Sequence, residues 1–260
     1  VTPAAEEIEG FAEPYRDIDV AATEMGSIAC VDVKEGDRVR AGQVLARLDE
    51  SVLQASLEIA AAEMAAHGRL DSALAELRVQ ADLLQKLEGL RERNFANPQE
   101  VQRTLSEKEI AQARVQSVRE DLAVKALEHK RLQTQLERRR ICSPIDGIVT
   151  RICKDPGEFV SPSDPVVVKV VQLDPLLVVF SVPTGRARQI SASQTVRVQI
   201  ETADPPCDGV VEFVSPTGDP QSGTTRVRVR VPNDQERLPS GMSCRLLLPT
   251  ESNSVAAAAR

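Results

Sequence analysis

Imidazole and thiol groups are the side chains best suited to ligate metals, attack as nucleophiles or move protons near neutral pH. This chain has two histidines, His67 and His129, and five cysteines, Cys30, Cys142, Cys153, Cys207 and Cys244. Both histidines fall in one long helical stretch. If that stretch folds back near Asn97, they come to similar heights on antiparallel arms, where a pair could bind a metal or sense pH. Two ligands with no carboxylate or thiol partner rarely make a site, so no metal is expected. The cysteines form no C-x-x-C and lie far apart, which reads as small apolar side chains in a core. A Ser-His-Asp or Cys-His constellation cannot be placed, there is no G-x-x-x-x-G-K-[ST] loop, and no methionine cluster suggests copper. The expectation is a chain without catalysis and without a cofactor.

Composition narrows the classes further. The net charge of −7 argues against nucleic acid as a partner, because phosphate binding needs a basic face. Aromatic residues are 2% and tryptophan is absent, so the core must be aliphatic and a base-stacking platform is not expected. No apolar run is long enough to span a bilayer. At 260 residues the chain should divide into two or three units. It begins at Val1 without a signal-like segment, as if targeting elements had been trimmed, and residues 251–260 read as a flexible tail.

The elements that must carry any function are dominated by the stretch from Ser51 to Arg140, which has one proline, Pro98, and helical periodicity. On the first arm Leu53, Leu57, Ala60, Met64 and His67 alternate four- and three-residue steps. Leu70, Leu74, Leu77, Ala81 and Leu84 resume the rhythm after a slip at Gly68, where over-winding or a bend is expected. On the second arm Val101, Leu105, Val118, Leu122, Leu132 and Leu136 can face the first. The arms form an antiparallel coiled-coil hairpin, each reaching on the order of 60 Å. Its turn falls near Asn94–Pro98, with Asn97 as N-cap, Pro98 in the first helical position and Glu100 completing a capping box. The outer faces are charged, and part of so long a pair should pack on neighbouring copies or on a partner.

Around the hairpin the chain is β-structure. Residues 1–20 alternate weakly at Ile8, Phe11, Ile18 and Val20, as an edge or connecting strand would. Between Gly26 and Asp49, short strands are punctuated by Gly36-Asp37 and Ala41-Gly42. The same frame returns after the hairpin: Gly26 matches Gly147, Ile28 Val149, Val31 Ile152, Gly36 Gly157 and Val39 Val160. Two like half-motifs imply one pseudo-symmetric sandwich split by the hairpin. Beyond Val171, a run at Leu176–Val182 and alternation through Val196–Ile200, Val210–Val214 and Thr225–Val231 point to a small β-barrel. Arg226, Arg228 and Arg230 share its polar face, as solvated edge charge or as a contact strip.

With these parts in order, the chain resembles the membrane fusion proteins, the periplasmic adaptors of RND-type efflux pumps and of the related HlyD-like secretion systems. The resemblance is carried by Gly26-Ser27-Ile28, Val33-Lys34-Glu35-Gly36-Asp37 and Leu48-Asp49, then Ile141-Cys142-Ser143-Pro144-Ile145-Asp146-Gly147, then Phe180-Ser181-Val182-Pro183. Thr224-Thr225-Arg226-Val227, Pro232-Asn233 and Leu238-Pro239-Ser240-Gly241-Met242 complete it, resembling a barrel signature in which an Asn and a Pro-Gly-Met close successive turns. The family implies an α+β multidomain fold: a lipoyl-like sandwich (21–49 and 141–172) split by an α-helical hairpin (50–140) and followed by a β-barrel (173–250). Residues 1–20 would be an N-terminal strand region, one candidate for a remnant of the family's membrane-proximal domain; residues 251–260 are too few to supply its several strands, so the rest of that domain is either trimmed away or lacking.

The resemblance also implies roles. Lipoyl and biotinyl carriers present a modified lysine on the hairpin between the half-motifs; here Leu48-Asp49-Glu50 occupies that place and no lysine matches. Family members that dock on TolC-like ducts carry an Arg, a Leu and a Ser near the hairpin end, matched at the same spacing by Lys86, Leu90 and Asn97. Lys keeps the charge but loses the bidentate fork of Arg. Where the family's barrel usually turns at Gly-Gln, this chain has Ser193-Gln194. The implied protein is a non-catalytic periplasmic adaptor, anchored to the inner membrane by an N-terminal segment missing here. It would join an inner-membrane transporter, of RND type or alternatively ABC type, to a TolC-like outer-membrane channel, with self-association into a ring. The competing expectations are a lipoyl- or biotin-type carrier subunit and a coiled-coil scaffold without a transport role.

Overall fold

The computed structural model describes residues 7–201 and 205–247, so the expected tail at 251–260 and residues 1–6 of the N-terminal strand region lie outside the described residues. The chain runs β1 (Glu7–Ala21), β2 (Gly26–Val31), β3 (Arg38–Val39), β4 (Val44–Leu48), α1 (Ser51–Ala65), α2 (Gly68–Glu92) and α3 (Pro98–Arg138). It continues through β5 (Arg140–Cys142), β6 (Gly147–Ile152), β7 (Phe159–Val160), β8 (Val166–Pro183), α4 (Thr184–Ala187), β9 (Thr195–Ile200), β10 (Cys207–Asp219), β11 (Thr224–Val231) and β12 (Ser243–Leu247). Two compact units result: the helical residues 48–140, and the β-structure on either side of them.

The repeat found in the sequence is a repeat of hydrogen bonds. The Gly36 N–H donates to the Val149 carbonyl at 2.8 Å, and the Gly157 N–H donates to Ile28 at 2.8 Å. In return Val149 donates to Asp37 at 2.9 Å and Ile28 to Glu158 at 2.8 Å. Each turn is then braced by its own carboxylate, Asp37 on the Lys34 N–H and Glu158 on the Asp155 N–H. Gly36 and Gly157 have φ of 91° and 92°, a left-handed backbone that glycine enters without steric cost. The pairing of Gly26 with Val160 is matched by that of Gly147 with Val39. Each half therefore closes on the other, and their apolar positions Ile28, Val39, Leu45, Val149 and Val160 are buried.

The barrel closes through six strands in the order β1-β12-β9-β10-β11-β8, with β8 returning to β1. This corrects the reading of residues 1–20 as an edge or connecting strand. β1 pairs with β12 from Glu7 to Phe11 and with β8 from Gly10 to Ala21, so it seals the barrel and continues along the sandwich. β8 likewise spans both parts without a break at 172. Gly10 permits the closure, since a Cβ there would stand 2.4 Å from the Phe180 ring. The core is aliphatic around Phe180, with Val178, Val198, Val227 and Val229. Arg226, Arg228 and Arg230 alternate with these valines on β11, which is flanked by β10 and β8, so they are face charges and not edge charges.

Asn233 is buried and fully partnered: Nδ2 donates to the Leu173 and Leu238 carbonyls at 2.9 Å each, and Oδ1 accepts the Leu238 N–H at 3.0 Å. Gly241, at φ 88°, donates to the Ala12 carbonyl at 2.7 Å and so fastens this turn to β1. Arg38 of the sandwich pairs with Glu236 beside that turn at 2.8 Å. Ser193 takes φ 68° and donates to Val211 at 2.7 Å, so the turn that the family makes with glycine is made here by serine in a strained backbone.

The cysteines depart from the expectation of uniform burial: Cys244 is buried, Cys30, Cys142 and Cys207 are half-buried, and Cys153, just past the end of β6, is exposed. Burial pushes the Cys244 thiol up to about 11. A neutral-pH thiol reagent should therefore modify Cys153 first and leave Cys244 intact until denaturant is added, which peptide mass mapping would show. Backbone close approach gives a second test. Gly147→Ala would place a Cβ 2.3 Å from the Val171 carbonyl oxygen and should cost about 2 kcal/mol in urea unfolding. Ser193→Gly should stabilise by about 0.5 kcal/mol, relief of the left-handed backbone outweighing the lost chain stiffness.

Candidate partner-docking tip of the helical hairpin

The hairpin is fixed at its two ends by different devices. At the base, the Leu48 N–H donates to the Arg139 carbonyl at 3.0 Å, and the Arg139 guanidinium donates back to the Asp49 carbonyl. The Asp49 carboxylate accepts the Ser51 N–H at 3.0 Å, and that bond, helped by the Ser51 side chain and by Arg139, holds its pKa below the usual range. Leu48-Asp49-Glu50 thus leads straight into α1.

At the tip only three residues separate the C-cap of α2, Arg93, from the N-cap of α3, Asn97. α2 ends in a Schellman motif: Asn94 takes φ 63° and donates to Arg91 at 2.9 Å, while Phe95 donates to Leu90 at 2.9 Å. α3 starts at Asn97, whose side chain accepts the Gln99 N–H at 3.0 Å, with Pro98 in the first turn. The Asn97 side chain thus caps the N–H of Gln99, one residue short of Glu100, where the capping box was expected. Both caps satisfy the helix ends within the five residues 93–97, so the side chains there are presented on a defined backbone.

Lys86, Leu90 and Asn97 all remain exposed around this tip, Lys86 and Leu90 one helical turn apart on α2 and Asn97 across the turn. The geometry adds a residue that spacing did not single out. Phe95 is 80% exposed, the most exposed large apolar side chain among the described residues. The available signal was compositional: a phenylalanine inside a charged loop, in a chain with five of them and no tryptophan.

Between base and tip, two ion pairs set the register: Glu63–Lys125 at 2.6 Å and Glu76–Arg114 at 3.0 Å. His67 therefore faces the region of Leu122, and lies about 10 Å along the axis from the level of His129. They do not share a height, which corrects the expectation built on a turn centred at Asn97. The slip at Gly68 is a full interruption: α1 stops at Ala65 and α2 begins at Gly68, leaving Ala66 and His67 between. The buried seam of α2 and α3 runs through Ala73, Leu84, Val101, Thr104, Ala111 and Val115, whereas Leu74 is exposed. Periodicity chose the leucines; the helix contact chose the small side chains beside them.

Comparison with known proteins agrees with this architecture. The family model described as "RND MFP, barrel-sandwich hybrid domain" matches residues 16–172, and that described as "CusB-like, beta-barrel domain" matches residues 175–252. The efflux pump periplasmic linker BepD of Brucella suis is 26% identical over 267 residues, covering 94% of this chain and 62% of that protein. The multidrug efflux pump subunit AcrA of Escherichia coli is 28% identical over 256 residues, covering 93% and 61%. The chain thus spans less than two thirds of the length of these curated relatives. The crystal structure of MacA from Actinobacillus actinomycetemcomitans has the same fold, with a TM-score of 0.77 at 22% identity over 93% of this chain and 77% of that one. The membrane fusion protein Spr0693 from Streptococcus pneumoniae follows at 0.62 and 17%, covering 95% and 99%. Sandwich, inserted hairpin and barrel, with family models matching both β parts, make this chain a member of the RND membrane fusion protein family.

Proposed function

We propose that the chain is the periplasmic adaptor of an efflux or secretion system, linking an inner-membrane transporter to a TolC-like outer-membrane channel without catalysing a reaction itself. An RND transporter is the favoured partner and an ABC transporter the alternative. The observation that carries the reading is the hairpin tip, where two caps hold a short turn rigid while Lys86, Leu90, Phe95 and Asn97 stay exposed. A rigid turn presenting an apolar knob beside a cation is a contact surface; it offers no nucleophile, base or ligand set. Relatives named as an efflux pump periplasmic linker and a multidrug efflux pump subunit support the same assignment. The barrel end would meet the transporter, and several copies would surround the export path, whose energy comes from the transporter.

The carrier alternative requires a lysine between the half-motifs, and the run from β4 into α1 through Leu48, Asp49 and Glu50 has none.

Co-purification tests the tip. A Lys86→Glu plus Leu90→Glu variant should lose capture of the outer-membrane channel by at least tenfold, and undiminished capture would overturn the tip assignment. Asn97 separates capping from contact: Asn97→Ala should cost about 1 kcal/mol of local stability, read as faster amide exchange at Gln99–Val101. Asn97→Asp, which retains a cap, should restore that protection.

A further inference from the structure

We infer that the outer face of the barrel carries a binding site for a phosphate monoester, built from Arg226, Arg228 and Ser181. Arg226, Arg228 and Arg230 point outward from β11 at every second residue, while Val227 and Val229 between them are buried in the core. Successive side chains on that face stand about 7 Å apart along the strand. Among the described residues, none of the three guanidinium groups makes a hydrogen bond or an ion pair. In a chain of net charge −7, three uncompensated cations on one strand are a local reversal of sign. Like charges at this spacing repel, and an anion held between them removes the repulsion.

Arg228 is the most confined of the three. Strand register sets it between Phe213 on β10 and Val179 on β8, and its Nε is buried without a hydrogen-bond partner. A desolvated N–H with no acceptor is costly, and a ligand oxygen would satisfy it. Arg226 lies opposite Ser181 on β8. Both open on a hollow of 560 Å³ whose other wall is formed by Thr217, Asp219, Ser222 and Thr224. The carboxylate in that wall is already engaged. Asp219 accepts the Gln221 N–H and the Ser222 hydroxyl, each at 2.9 Å, and these bonds hold its pKa below the usual range. Because Ser222 gives its one hydrogen to Asp219, the 2.8 Å contact between Ser222 and Thr224 is donated by Thr224. The Ser181 hydroxyl has no partner among the described residues, so it joins the two guanidiniums as a free donor. Glu13 sits across Leu177 from Arg230, which leaves the uncompensated charge greatest at the Arg226–Arg228 end.

This donor set selects its ligand. A carboxylate has two coplanar oxygens and is satisfied by one guanidinium fork, which would leave Arg228 and Ser181 unused. A phosphate monoester has three terminal oxygens and close to two negative charges at neutral pH, enough to engage both guanidiniums and the hydroxyl together. The same group is presented by a soluble ester and by the headgroup of phosphatidic acid. The hairpin takes no part in the site, so channel docking and phosphate binding stand or fall separately.

Calorimetric titration of the full chain with glycerol phosphate, at fixed physiological ionic strength, tests the site. The parent should bind with a submillimolar Kd. Arg226→Gln and Arg228→Gln should each weaken binding about tenfold, the loss of one charge-assisted contact. Arg230→Gln should weaken it no more than about twofold, through a screened charge. All three are outward side chains, and circular dichroism checks that the variants keep the fold. Acetate should not bind at the same concentrations. Flotation with phosphatidylcholine vesicles, with and without phosphatidic acid, separates the sources. Capture that needs phosphatidic acid and is lost in the double variant Arg226→Gln with Arg228→Gln supports a lipid headgroup, and glycerol phosphate binding without capture supports a soluble ester. Equal losses from Arg230→Gln and Arg226→Gln, acetate binding as tight as glycerol phosphate, or no binding to either phosphate source overturns the inference and leaves the three arginines as solvated charge.

Discussion

Every other feature of this chain depends on the exchange of hydrogen bonds between the two half-motifs. Gly36 gives its N–H to Val149 and Gly157 gives its N–H to Ile28, so neither half has a complete sheet without the other. Because residues 51–138 are spent on helices between them, the insertion has to return to its own start. An antiparallel helix pair meets that condition with little closure cost, since its seam orders the intervening chain as it folds. The Leu48 to Arg139 bond is the point at which the return is completed. Reach is thus obtained without giving up a small, self-closing β-core.

Once the core is closed, the remaining apolar residues go outward. Four of the five phenylalanines, Phe11, Phe95, Phe159 and Phe213, are exposed, and only Phe180 lies in the barrel core. A domain that needed aromatics for stability would bury them; valine and leucine fill that role here. Exposed aromatics are the residues that partner contacts favour. Thiols and imidazoles are scattered in contrast, with His67 and His129 separated along the hairpin axis and Cys153 facing solvent.

Much of this was legible in the sequence, because glycine and Asn mark backbone states directly. The matched Gly36 and Gly157 announced the split sandwich, and Asn97-Pro98 announced the start of α3. Other features were not, for physical reasons. β1 has weak alternation because it lines the barrel at one end and the sandwich at the other, so its sequence obeys two environments in turn. The helix seam was misplaced where Ala73, Thr104 and Ala111 lie in it, since close helix approach selects small side chains that carry little hydropathy signal. The height of the histidines depended on interhelical register, which the Glu63–Lys125 and Glu76–Arg114 pairs set and which no single helix encodes. The proposed tip residues rest on spacing alone, and Phe95 required its exposure to be seen.

The proposed docking of the hairpin tip on an outer-membrane channel can be tested in the cell. Its most direct test places a photo-reactive side chain at Phe95 in living cells, with Glu58, an exposed residue of α1, as the control position. The account predicts an adduct with an outer-membrane channel from Phe95 and none from Glu58. An adduct from Phe95 with the inner-membrane transporter, or no adduct from Phe95 at all, would contradict it.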